Sequence, residues 1–153
     1  MAEKEVLILG IGNILLKDDG IGVYIVDELK KRNLPEKVEL FDGGTGGFHL
    51  IPFIEGKKKL IIIDAIVTED EPGTIYRLNL DDVVYRKKAG FSLHEAGIIE
   101  ALRSASLSGA IPEAIVIGIR PKDFKSFGTE ITPEVKAAFP RVIELVMKEV
   151  SAC

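Results

Sequence analysis

The chain alternates short apolar runs with amphipathic stretches of longer period. Val6-Leu7-Ile8-Leu9 is apolar at every position and ends in Gly10. Such a run reads as a strand buried on both faces, as in a parallel sheet covered by helices. From Gly20 to about Arg32 the apolar positions take helical spacing, with Asp19 in place as N-cap. Val38-Glu39-Leu40-Phe41 predicts a second strand, and the tight loop Gly43-Gly44-Thr45-Gly46-Gly47 follows it. A second helix is expected from there to Glu55, with Gly56 at its end. Leu60-Ile61-Ile62-Ile63 is the plainest strand in the chain, ending at Asp64.

The loop Thr68 to Gly73 leads into Ile75-Tyr76-Arg77-Leu78. So short a connection cannot hold a helical crossover of about a dozen residues, which makes this fourth strand antiparallel to the third. Ser92-Leu93-His94-Glu95 has the form of a capping box, Ser at N-cap and Glu at N3, opening a helix to about Ser106. Ala114-Ile115-Val116-Ile117-Gly118-Ile119 predicts a fifth strand. Thr132-Pro133-Glu134 starts a last helix running to about Val150. Its stripe is Val135, Ala138, Phe139, Val142, Leu145 and Val146, and Glu149 breaks it. The order is β-α-β-α-β-β-α-β-α. It predicts a three-layer α/β/α sandwich on a five-stranded, mostly parallel mixed sheet with one antiparallel strand. No repeat or linker interrupts it, so residues 1–153 are expected to form a single domain.

Composition narrows the partners. The formal charge is −4, whereas nucleic-acid binding usually shows as a basic excess. No apolar run approaches the roughly 18 residues of a membrane helix. Nothing at the N-terminus has signal-peptide form, so the cytoplasm is the expected location. The single Cys153 excludes an internal disulfide framework and a Cys-rich metal site. A monomer that binds neither nucleic acid nor membrane is the expectation.

In an open α/β sheet, ligands bind outside the carboxyl ends of the parallel strands. Asp18 and Asp19 follow the first strand there, Asp42 the second, Asp64 the third, and His94 precedes the third predicted helix. Gly10-Ile11-Gly12 invites a dinucleotide reading, but Leu15 stands where the third glycine belongs, and two carboxylates would repel a pyrophosphate. Asp18 reads as a solvent-exposed neighbour of Asp19, and Asp42 as the organiser of its own glycine loop through an Asx turn. Asp64 carries the most weight, because a carboxylate at the end of an Ile-Ile-Ile strand needs a partner. The dipole at a helix start favours neutral His94, the metal-binding form. His49 reads as structural or exposed. Two carboxylates and a neutral imidazole suit a first-row divalent metal with open positions. There is no Gly-x-Ser-x-Gly elbow, and Cys153 has no His nearby in sequence.

The stretch from Gly10 to Gly22, GIGNILLKDDGIG, resembles the opening signature of the [NiFe]-hydrogenase maturation endopeptidases. Asp42-Gly43-Gly44-Thr45, Ile63-Asp64-Ala65 and Ser92-Leu93-His94 resemble its next three motifs. The stretch from Pro121 to Val135, with Gly128, Thr132 and Pro133, resembles its late loop and final helix. The resemblance implies removal of a C-terminal extension from a hydrogenase large-subunit precursor after nickel insertion. It implies Asp19, Asp64 and His94 as the residues that contact the metal and carry catalysis, with Asp42, Gly43 and Gly44 in support. The nickel would come with the precursor rather than reside in the protein. Asp19 departs from members that carry Glu there, and Lys122 and Lys125 depart from a late loop that is otherwise acidic or neutral. A hydrolase with its own zinc and a non-enzymatic nickel carrier are the alternative readings.

Overall fold

A computed structural model describes residues 4–45, 50–79, 82, 92–93, 102 and 112–152, with 92–93 described in backbone only. The strands are β1 (Val6–Ile11), β2 (Val38–Gly44), β3 (Lys59–Val67), β4 (Ile75–Asn79), β5 (Ser92–Leu93) and β6 (Glu113–Ile119). The described helices are α1 (Ile21–Lys30), α2 (Ile51–Ile54), α3 (Pro133–Lys136) and α4 (Phe139–Ser151), and a single 3-10 turn spans Lys17–Gly20.

Five strands run in the order β2-β1-β3-β6-β4, parallel except for β4, and the two-residue β5 pairs with β3 off this path. The predicted mixed sheet is therefore present, with two amendments. β4 is antiparallel as its short loop requires, but it bonds to β6 rather than β3, because β6 lies between them. The helix expected from Ser92 lies outside the described residues. Ser92 and Leu93 themselves pair with Val67 and Ile66 as a second antiparallel contact.

Successive residues of the central strands feed opposite faces. Val6, Ile8, Ile61, Ile63, Ile115 and Ile117 pack with α1 and α4 on one side. Leu7, Leu9, Leu60, Ile62 and Val116 pack with Leu50, Ile54 and Leu102 on the other. This two-sided burial is why the strands read as unbroken apolar runs. The last predicted helix is broken at Ala137–Ala138 into α3 and α4. Pro140 has no amide to give Lys136, and its ring crowds that carbonyl. Glu149, which breaks the stripe of α4, meets Lys59 at 2.9 Å at the start of β3 and also pairs with Arg77 of β4.

Candidate functional site

The sheet order places the site. From β1 the chain crosses to β2 on one side, then returns past β1 to β3 on the other. Helices α1 and α2 lie on opposite faces. The crevice outside the carboxyl ends of β1 and β3 is thus the switch point where such folds bind ligands.

Asp19 and Asp64 flank that crevice, and both are fully buried. β1 pairs with β3 only as far as Gly10 and Ile63, so Asp64 is the first β3 residue past the end of that ladder. The strand does not stop there, however. β3 continues to Val67, first on its pairing with β6, where Asp64 lies opposite Gly118, and then on β5 at Ile66 and Val67. One Asp64 oxygen accepts the amide of Ala65 at 2.8 Å.

Asp19 reaches the crevice through close backbone packing. A Cβ on Gly22 would lie 2.1 Å from the Ile63 carbonyl oxygen and 2.4 Å from that of Ile11. Only glycine lets the first turn of α1 sit directly on β1 and β3. Gly12, at φ +146°, accepts a similar approach, since its Cβ would meet the Asp19 carbonyl oxygen at 2.0 Å. The 3-10 turn that carries Asp19 rests against β3 as a result. Asp19 does not cap α1 as its position suggested. Gly20 is the N-cap, with no side-chain hydrogen bond, and the Asp19 carboxylate turns back to accept the amide of Asn13 at 3.0 Å.

Asp18 overturns its sequence reading altogether. It is fully buried, not exposed. One oxygen accepts the amides of Lys122 at 2.9 Å and Asp123 at 3.0 Å and the hydroxyl of Thr132 at 2.6 Å. The other accepts the amide of Thr132 at 2.8 Å. Those donors lie more than a hundred positions away, so no local pattern could announce them. Asp42 behaves as its sequence predicts. It is exposed, and it accepts the amide of Gly44 at 2.8 Å in an Asx turn. A bulge between its pairing to Gly10 and that of Gly44 to Ile11 leaves Gly43 extra and buried. The Gly12 amide then donates to the Gly44 carbonyl at 2.8 Å, joining the glycine loop to the Asp19 loop.

His94 and His49 lie outside the described residues. Among the described residues no three His, Cys, Asp or Glu side chains gather as metal ligands. Of the three residues predicted to contact a metal, Asp19 and Asp64 are the two described, and both are buried. A groove of about 920 Å³ beside α1, lined by Tyr24, Thr129, Ile131 and Phe139 among others, holds none of the predicted acids.

A model of the hydrogenase maturation proteases matches residues 23–149. The chain belongs to the hydrogenase maturation protease family. A putative hydrogenase maturation protease of Methanocaldococcus jannaschii is 36% identical over 154 residues, covering 98% of this chain and 99% of that one. The solved hydrogenase maturating endopeptidase HybD from Escherichia coli superimposes with a TM-score of 0.89 at 34% identity, covering 97% and 93% of the two chains. The [NiFe] hydrogenase maturation protease HybD from Thermococcus kodakarensis gives 0.83 at 29%, covering 95% and 99%. The α/β fold on a five-stranded mixed sheet read from the sequence is that of this protease family. No helix among the protease's described residues is long and apolar enough to cross a membrane.

Proposed function

We propose that this single-domain protease removes the C-terminal extension of a [NiFe]-hydrogenase large-subunit precursor once nickel is in place, and that Asp19, Asp64 and His94 read the nickel. The observation that supports this is the pairing of two fully buried carboxylates, Asp19 and Asp64, on either side of the β1/β3 switch point. Carboxylate and imidazole together suit a first-row divalent ion, and the precursor's own ligands would complete its coordination. Gripping the metal brings the adjoining peptide to the rim. Water then adds to the scissile carbonyl, the C–N bond breaks, and the new amine takes a proton. Asp42, Gly43 and Gly44 support the rim from β2. The protein acts as a soluble monomer in the cytoplasm on this reading.

The test is cleavage of nickel-loaded precursor by the purified protease, followed on gels. Wild-type protein should process it and nickel-free precursor should stay intact. His94→Ala should abolish processing, because two carboxylates alone hold nickel poorly. The isolated protease should hold no metal after dialysis against a chelator. Full processing by His94→Ala would sink metal reading by these residues, and stoichiometric zinc that survives dialysis would favour a resident-metal hydrolase.

A further inference from the structure

The four hydrogen bonds to Asp18 close a loop at its neck. Lys122 and Asp123 donate from one end and Thr132 from the other. The segment 122–132 between them is a compact surface loop with its ends held together by one buried carboxylate. It is fastened along its length as well. The Asp123 carboxylate accepts the amides of Lys125 at 3.2 Å and Ser126 at 3.0 Å, which holds its carboxyl below the usual carboxylate range. The Tyr24 hydroxyl donates to the Thr129 carbonyl at 2.8 Å.

At the tip of this fastened loop stands Phe127, 87% exposed. The large exposed apolar side chains among the described residues are Ile14, Leu15, Phe53 and Phe127, and three of these four share one rim. The Gly128 amide donates to the Leu15 carbonyl at 2.8 Å and the Lys17 amide to the Gly128 carbonyl at 2.9 Å. Leu16 and Gly128 form a parallel bridge, so Leu15 and Phe127 stand side by side one residue back along each chain. The patch begins at the metal-reading site, since Ile14 follows Asn13, whose amide Asp19 holds. Exposed apolar clusters rimmed by polar residues mark interaction surfaces. A cluster already ordered by its own backbone loses little entropy when a partner binds.

The cations in and beside the loop sharpen the chemistry. Lys122 pairs with Glu134 and Lys17 with Asp123. Exposed Lys125 lies 5.5 Å from the centre of the Phe124 ring and meets no carboxylate among the described residues. A second copy of the chain seated here would cover the rim that the substrate must reach.

We infer that the rim of Ile14, Leu15 and Phe127, with Lys125 beside it, docks an extended segment of the substrate protein that carries an apolar side chain next to a carboxylate. This rests on the reading that the protease processes a hydrogenase precursor. Asp18 presents the rim by holding the loop, and the nickel-reading residues act beyond it.

The test measures two quantities on nickel-loaded precursor: steady-state processing and surface-immobilised binding. Phe127→Ser and Leu15→Ser should each raise KM and Kd about tenfold, the size of a contact at the heart of an interface, with kcat within about twofold. Phe127→Leu should restore most of the affinity. Lys125→Glu should raise KM, whereas Lys148→Glu, the same charge change on α4, should not. All four substituted positions are exposed, so melting temperatures should match wild type. If wild type cleaves and both serine variants keep KM and Kd, the docking surface is wrong. A loss confined to kcat, or a wild-type dimer that Phe127→Ser dissolves, would overturn it too. If wild type neither binds nor cleaves the precursor, the processing reading itself fails.

Discussion

Asp18 offers the most demanding check on the site's construction. Its carboxylate takes three donors on one oxygen and one on the other, with no exposure to solvent. Hydrogen bonds to a charged acceptor contribute about 1.5–3 kcal/mol each, but the cost of burying the carboxylate offsets part of the sum. Asp18→Ala leaves three backbone N–H groups and one hydroxyl without their acceptor. If the loop stayed closed, each would cost about 1–3 kcal/mol; the loop can open to water, so the net loss should be about 3–5 kcal/mol. Asp18→Asn keeps the shape. Its amide oxygen can replace the triply bonded carboxylate oxygen at about half the strength per bond, while its NH2 then faces the Thr132 amide. A loss of about 2–3 kcal/mol should result. For a chain of this size each kcal/mol lowers the melting temperature by about 2–4 °C, so the asparagine variant should melt about 4–12 °C lower. Urea unfolding followed by circular dichroism gives the free energies directly. An alanine variant within about 0.5 kcal/mol of wild type would mean that Asp18 is the ordinary surface acid its sequence suggests, and the loop-neck account would fail.

Gly22→Ala should lower stability by about 2 kcal/mol or more, because the added methyl would strike the backbone at Ile63 and Ile11. Helix propensity alone argues the opposite, a gain of up to about 1 kcal/mol, so the sign measured by chemical denaturation decides between them. Glu149→Gln should cost about 1–3 kcal/mol by removing the carboxylate that Lys59 and Arg77 face. Arg77 and then Lys59 hold the Glu149 carboxyl below its ordinary value of 4.5, against the opposing effect of burial. A depressed folded pKa stabilises above that value and ceases to as pH falls through the folded one. The gap between wild type and variant in urea titrations should therefore be full at pH 7 and close below about pH 4.5, and a gap independent of pH would refute the pairing.

The strands were legible because two-sided burial writes itself as Val6-Leu7-Ile8-Leu9 and Leu60-Ile61-Ile62-Ile63. The position of Asp64 near the rim followed from the same pattern, although β6 and then β5 carry β3 on to Val67, past the end of the apolar run. Glu149 interrupts an apolar stripe, and that interruption marked a real, partly buried ion pair. The largest failure was non-local. Asp18 reads as exposed because its partners sit at 122, 123 and 132. Asp19 reads as a helix cap because nothing nearby in sequence reveals the 3-10 turn or its bond to Asn13. The break before α4 had a visible signal in Pro140, which the strong stripe around it masked.

The bonds from Asp18 to Lys122 and Thr132 join positions 104 and 114 apart in the chain. On a ribosome adding roughly 5–20 residues per second, the acid exists for some 5–20 seconds before its donors do. During that interval β1, α1 and β3 can pair, since they are closer in sequence, but the turn bearing Asp19 lacks its clamp. Long-range closures of this kind are also the slow ones in folding. The turn bearing Asp19 is therefore clamped only once the chain has been made as far as Thr132.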